Sequence, residues 1–577
     1  MRRFALAFAF VVVSAGALPA QRTTFTHADT LRGTNGPGRS WWDATFYDLH
    51  VAVNLADSSI RGYNGITYRV IAPAKEMQID LQVPMQVDSI IQDGQALTAR
   101  RDSNAFFVTM ASPQRVGDTK TVTVYYHGHP RAAKRPPWDG GFIWRQDSLG
   151  HPWVATANEG LGASVWWPNK DIPSDEPDSQ RIAITVPDSM TDVSNGRLRS
   201  TTHNADGTTT YEWFVTSPIN NYDVEVNAGT YAHWTETFKG ENGDLTLDFW
   251  PLAYHLDTAK VQWQQAKSML SCFEHWFGPY PWYADGYKLI EAPHLGMEHQ
   301  SGVAYGNHFK NGYLGRDLSN TGLGLKWDFI VVHESAHEWW GNSVTDKDHA
   351  DMWIHESFAN YAESIYTECQ QGKAAGAAYV IGTRRLIKND RPIVGHFGVN
   401  DEGSGDMYYK GGNMLHTIRR VIDNDEKWRG ILRGLQKTFW HQTVSGTQVE
   451  DYISHAAGID LSKVFAQYLT TTQVPVLEYS LDGGTLQYRW ANVVSGFAMP
   501  VRVTVAPNHY QRIRPTESWQ TMKVKLATAA QFTVDDNYYV TARETGTAMG
   551  SGGELEVHVR LAPDFARSRA GRAHLRF

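Results

Sequence analysis

The segment VVHESAHEWWGN, residues 331–342, sets two histidines four positions apart with a glutamate between them. On a helix, four residues turn the chain by about 400° and advance it roughly 6 Å, so His333 and His337 project from one face and can reach one ion. Zinc in hydrolytic sites takes three protein ligands of the histidine and carboxylate type and leaves a position for water. Glu334 stands where it can take that water's proton. Alone the motif is only moderately specific, because a solvated helix face can carry the same residues. A third ligand strengthens it. After eighteen intervening residues, Glu356 appears in DMWIHESFANYAE (351–363), on the next expected helix. An antiparallel helix pair carries that carboxylate back to the histidine face. His333, His337 and Glu356 are the expected ligands of one Zn2+, with Glu334 as general base.

On either side of this segment the hydrophobic period changes. Residues 45–252 hold short alternating runs such as FYDLHVAVNL, GITYRVIA and RIAITVP, rich in β-branched and aromatic residues, which predict strands. Residues 253–474 have helical spacing, in DTAKVQWQQAKSMLSCFEHWFG, in GLKWDFIVVHESAHEWWGN (324–342) and in KGGNMLHTIRRVIDN. Strands return over 475–565, in LQYRW, VRVTVA, FTVDD, YYVTAR and ELEVHVRLAP. The expected fold is multidomain α+β: an N-terminal all-β domain, a mostly helical middle domain and a C-terminal β-sandwich.

The chain has 577 residues, 42% of them hydrophobic and 20% charged, and a formal net charge of -8. That length predicts several cores, and the mildly acidic balance argues against nucleic acid as the main partner. The four arginines of ARSRAGRAHLRF (566–577) are expected on a solvated tail. At the amino terminus, MRRFALAFAFVVVSAGALPAQR has two arginines, an apolar run and small residues before Ala20. This layout predicts a signal peptide over 1–20, too short for a membrane span, and an exported protein, periplasmic or extracellular. Whether Cys272 and Cys369 pair depends on a distance the sequence does not contain; two separate buried thiols are the expectation. No Gly-x-Ser-x-Gly occurs, which disfavours a serine hydrolase.

Four segments, in order, resemble the gluzincin metallopeptidases of the M1 aminopeptidase family. They are NEGLGASVWWPNKDIPSDEP (158–177), FGPYPWYADGYKLIEAPHLGMEHQSGVAYGN (277–307), the HESAHEWWGN stretch with its distant glutamate, and Tyr408-Tyr409-Lys410-Gly411. The resemblance implies a thermolysin-like catalytic domain and a zinc aminopeptidase acting on peptides with a free amino terminus. It implies that Tyr408, with Tyr409 as competitor, stabilises the oxyanion. It implies that Glu298 and Glu159 hold the α-amine, and that backbone at Gly296 and Met297 binds the peptide as an added strand. Glu363 either orients a zinc histidine or forms a surface salt bridge. Two positions depart from the family signature Gly-x-Met-Glu-Asn: Leu295 replaces the glycine and His299 the asparagine, which puts loop geometry and pH dependence in question. The large helical C-terminal domain of many members is expected to be absent, leaving a more open cleft. Relatives with the same fold also include an epoxide hydrolase with peptidase activity and non-catalytic scaffolds, and both are alternatives.

Overall fold

A computed structural model describes residues 24–546. The expected signal peptide, the strand expected in ELEVHVRLAP and the arginine-rich tail lie outside these residues.

Alternation builds the amino-terminal part. In Trp42–Asn54 every second side chain over most of the strand is fully buried, and the strand sits inside an eight-stranded sheet. It pairs antiparallel with Ser59–Val70 and parallel with Ser179–Pro187. Smaller sheets of three and four strands accompany it, around an apolar core that includes Trp42, Tyr47, Ile66, Trp166 and Ile184.

A five-stranded sheet follows, ordered Trp234–Gly240, Gly243–Trp250, Tyr287–Glu291, Val303–Tyr305 and Gly296–Met297. Its hydrogen bonds cross the expected boundary at 252/253, because the hairpin before that point pairs with a strand after it. Gly296–Met297 is the terminal strand in this order, antiparallel to Val303–Tyr305, and so forms an edge to which an extended chain can add.

The helices Gln265–Phe277, Phe329–Ala336, Trp353–Gln371 and Tyr409–Ile422 share one apolar cluster that includes Phe273, Trp339, Trp340, Phe358 and Leu415. The helix expected through 324–342 is shorter than its periodicity suggests. Regular helix covers Phe329–Ala336, starting where the Asp328 side chain accepts from the Ile330 N–H. It ends because Trp340 bridges to Val344 and Gly341 takes φ 132°, which favours glycine. His337 nevertheless keeps right-handed helical angles, φ −63° and ψ −21°, so the one-turn offset from His333 survives.

Past residue 475 the chain is again β-rich. A four-stranded sheet contains Val476–Asp482 and Thr485–Ala491, and a two-stranded ribbon joins Val501–Ala506 to His509–Ile513. The strand expected in FTVDD is only a single bridge, Val503 to Val534. Leu477, Trp490 and Val501 belong to the same apolar cluster as the helices, so this part packs on the helical one.

Cys272 and Cys369 form a disulfide, with Cα atoms 6.1 Å apart and a sequence separation of 97. This corrects the expectation of two separate thiols: the helices that carry them, Gln265–Phe277 and Trp353–Gln371, pack together, a contact no local pattern reports. The closed loop contains His333, His337 and Glu356. In the loop-entropy account a closure of this size stabilises by on the order of 4–5 kcal/mol, with about 2–4 kcal/mol usual in practice. The paired substitution Cys272→Ser with Cys369→Ser is expected to lower the denaturation midpoint accordingly. A melting curve identical to that of the oxidised protein would contradict this.

Candidate metal centre and surrounding cleft

His333 and His337 present their Nε2 atoms to one oxygen. His333 Nε2 lies 3.4 Å and His337 Nε2 3.5 Å from Glu356 Oε2, and all three residues are buried. That oxygen has no hydrogen-bond partner. Buried carboxylate oxygens are costly to leave unpaired, so two imidazole nitrogens and an orphaned oxygen turned toward one point suit a cation. The spacing fits as well. Ligands bound tetrahedrally at about 2.0–2.1 Å stand roughly 3.3–3.4 Å apart.

The far nitrogens fix the rings. His337 Nδ1 lies 2.9 Å from the Trp340 carbonyl, which the helix end turns back toward it, so Nδ1 donates and Nε2 keeps its lone pair. His333 Nδ1 lies 2.8 Å from Glu363 Oε1. Glu363 is fully buried and also accepts from Asn360 Nδ2 at 3.0 Å and from the Tyr379 hydroxyl at 2.7 Å. Between a surface salt bridge and a residue that orients His333, the geometry selects the second. Asn360 and Tyr379 were not singled out in the sequence, where nothing distinguishes them from ordinary helix residues.

Tyr408 stands at the amino end of the Tyr409–Ile422 helix, and its hydroxyl donates to Glu356 Oε1 at 2.6 Å. The close approach depends on Gly411: a Cβ there would meet Ser357 Oγ at 1.9 Å. Ser357 in turn donates to the Met407 carbonyl at 2.7 Å. The absent side chain lets this helix press on Trp353–Gln371, and the hydroxyl that meets the carboxylate is that of Tyr408. Burial, reinforced by Glu356, holds the Tyr408 phenol well above its usual pKa, so it is a proton donor at neutral pH.

Glu334 faces Gly296, where a Cβ would stand 2.8 Å from Glu334 Oε1 and 2.9 Å from Ile330 Cγ2. The edge strand therefore passes directly against the carboxylate. Burial raises the Glu334 carboxyl to about 7 even though His333 pulls it down.

A second group of carboxylates closes the cleft from the other side. Single oxygens of Glu159, Glu298 and Glu356 lie within 4.8 Å of one another, as do ligand atoms of Glu298, Glu334 and His337. Glu298 is buried and accepts from the Tyr222 hydroxyl at 3.2 Å, while Asn342 Nδ2 donates to its carbonyl at 2.8 Å. Tyr222, from the amino-terminal part, is a further residue the sequence did not reveal. Burial and the Glu298 charge hold the Glu159 carboxyl well above its usual range. His299 turns away from this group: its Nδ1 lies 2.8 Å from Glu225 Oε2, and both side chains are fully buried. Burial pushes His299 down to about 4, so it does not titrate near neutrality.

Parts of the chain are similar to known proteins. The Peptidase family M1 domain model matches residues 262–468. The chain is 25% identical over 237 residues to "Probable aminopeptidase 1" of Sulfurisphaera tokodaii, covering 39% of this chain and 30% of that protein. It is 23% identical over 293 residues to "Leucyl aminopeptidase" of Saccharolobus solfataricus, covering 48% and 36%. The chain thus spans about a third of the length of these relatives. Among solved structures, an M1 zinc metallopeptidase mutant from Deinococcus radiodurans, bound to a Tyr-Ser-Ala substrate, superposes with a TM-score of 0.64. It is 22% identical and covers 76% of this chain and 96% of that one, a likeness of fold. Residues 262–468, the stretch that the Peptidase family M1 domain model matches, hold the two histidines, Glu356 and Tyr408.

Proposed function

We propose that this chain is a zinc-dependent aminopeptidase that hydrolyses the first peptide bond of substrates with a free amino terminus. The observation that carries the reading is the union in one buried cleft of a His333–His337–Glu356 ligand set with a second set of carboxylates, Glu298 and Glu159, beside it. A set of three ligands supports hydrolysis; the neighbouring acidic pair supports the choice of the terminal bond, because an α-ammonium held between carboxylates leaves only the first peptide bond within reach. The relatives' names and the family model support the same class.

His333, His337 and Glu356 would hold Zn2+, which supplies Lewis acidity toward a water and toward the scissile carbonyl. Glu334 accepts the proton of the attacking water and passes it to the leaving amine. A carboxyl raised by burial toward neutral pH suits both halves of that exchange. Tyr408 donates its phenol proton in a hydrogen bond to the carbonyl oxygen as negative charge grows there. Glu298, held by Tyr222, and Glu159 bind the substrate amine, and the edge strand at Gly296 and Met297 aligns the peptide backbone. Export belongs to the same proposal: the signal-like amino terminus and the Cys272–Cys369 bridge both suit an oxidising compartment. Among the described residues no helix is long and apolar enough to cross a membrane.

Glu334→Gln is expected to leave zinc bound and lower kcat by at least about a hundredfold on an amino-acyl anilide, while acetyl-blocked substrates resist the unmodified enzyme. Equal cleavage of free and blocked substrates would end the aminopeptidase reading. Tyr408→Phe should cost kcat about a hundredfold with little change in KM. Glu363→Ala should weaken zinc about 10–100-fold, measured by competition with a chelator; unaltered affinity would remove its assigned part in orienting His333.

A further inference from the structure

We propose that Arg32 is a positioning residue that clamps the loop bearing Glu159 to the loop 396–402 of the catalytic part and so fixes the amine-recognition site; the inference rests on the aminopeptidase reading above. Arg32 lies on the short helix His27–Gly33, which was not expected from the sequence. The helix begins with a capping box: the Thr26 side chain accepts from Asp29 N–H, and the Asp29 side chain accepts from Thr26 N–H. None of its residues is buried, so polar contacts rather than a core hold it in place.

Arg32 makes the decisive contacts. Its guanidinium donates to the carbonyls of Glu159, at 3.2 Å, and Gly160, and to Asn400 Oδ1 at 3.1 Å. Its Nε lies 3.9 Å from Asp171 Oδ2, the oxygen that accepts from Ser164 Oγ at the other end of the Glu159 loop. The same segment grips the opposite wall. Asn400 N–H donates to the Asp29 carbonyl at 3.1 Å, Thr34 Oγ1 donates to the Gly398 carbonyl at 2.8 Å, and the Phe25 ring meets His396 edge-on at 5.0 Å.

A clamp is needed because Glu159 stands in a turn, outside any helix or strand, with its carboxylate close to those of Glu298 and Glu356. Burial and the neighbouring Glu298 disfavour a charged carboxylate at this place, and a turn without ladder hydrogen bonds does little by itself to keep Glu159 there. Arg32 grips the backbone carbonyl of Glu159 and not its carboxylate. The acidic group thus stays open to substrate, with a positive charge behind the loop offsetting part of the repulsion. A guanidinium suits this task, since its fork serves several acceptors at once, which an ammonium on a flexible stem does less well.

The test is steady-state kinetics on an amino-acyl anilide, with inhibition by an amino-acid amide and by its desamino analogue. Arg32→Ala is expected to raise KM about tenfold with kcat within about twofold, and to weaken the amide but not the desamino analogue. Asn400→Ala should move both readouts the same way by less, and Arg32→Lys should recover part of the loss. Melting curves and zinc content verify that each variant is folded; if Arg32→Ala is not, the other two carry the same comparison. Unchanged KM in folded variants overturns the clamp, as does equal weakening of both inhibitors. Should the unmodified enzyme show no preference for free amines, the aminopeptidase reading fails first and the clamp with it.

Discussion

Glu356 Oε2 is a desolvated anionic oxygen with two imidazole nitrogens 3.4 and 3.5 Å away and no hydrogen bond. Burying a carboxylate costs several kcal/mol unless positive charge compensates it. Here the Nε2 atoms of His333 and His337 face that oxygen, and a cation bound among the three would supply the compensating charge. Much of the surrounding architecture keeps this arrangement in register. Glu363 anchors one ring, a carbonyl at the helix end anchors the other, and the disulfide closes the loop that carries both helices.

The cleft is built where two differently folded parts of the chain meet. Glu298 lies in the part matched by the M1 domain model, but the hydroxyl that holds it comes from Tyr222, and the buried partner of His299 is Glu225. Nearby, Asn195 Nδ2 donates to the Gln300 carbonyl at 2.8 Å, and Gly196 N–H to Ser301 Oγ at 2.8 Å. The loop 298–301 is thus gripped from the amino-terminal side. From the helical side Glu338 accepts from Ser301 N–H at 3.0 Å. A carboxylate positioned from both sides keeps its place even though it stands close to Glu159 and Glu356. Such crowding of acidic groups is stable only where the scaffold, or a bound cation, offsets the repulsion.

His299 shows how a local departure can be absorbed. In the sequence, a histidine beside Glu298 put pH dependence in question. In the folded chain it is buried against Glu225, pushed down to about 4, and so adds no ionisation near neutrality. Its consequence is structural: it ties two parts of the chain together next to Glu298.

Periodicity and motif spacing by themselves determined the β-rich, helical, β-rich succession, because side-chain alternation and helical repeats are local. They also singled out His333, Glu334, His337 and Glu356, whose relation follows from one helical turn and one helix reversal. The resemblance to a known family supplied Glu298, Glu159 and Tyr408 as candidates. Tertiary structure alone decided the rest. The Cys272–Cys369 pair needs two helices to pack, and the Tyr408 hydroxyl reaches Glu356 across a helix contact that Gly411 allows against Ser357. Glu363 orients a histidine only because the long helix turns it inward, and the hairpin 234–250 joins a sheet whose other three strands lie later in the sequence. Each of these depends on contacts between residues far apart in sequence, whose free energy comes from burial and close approach and leaves no repeat in the amino-acid order.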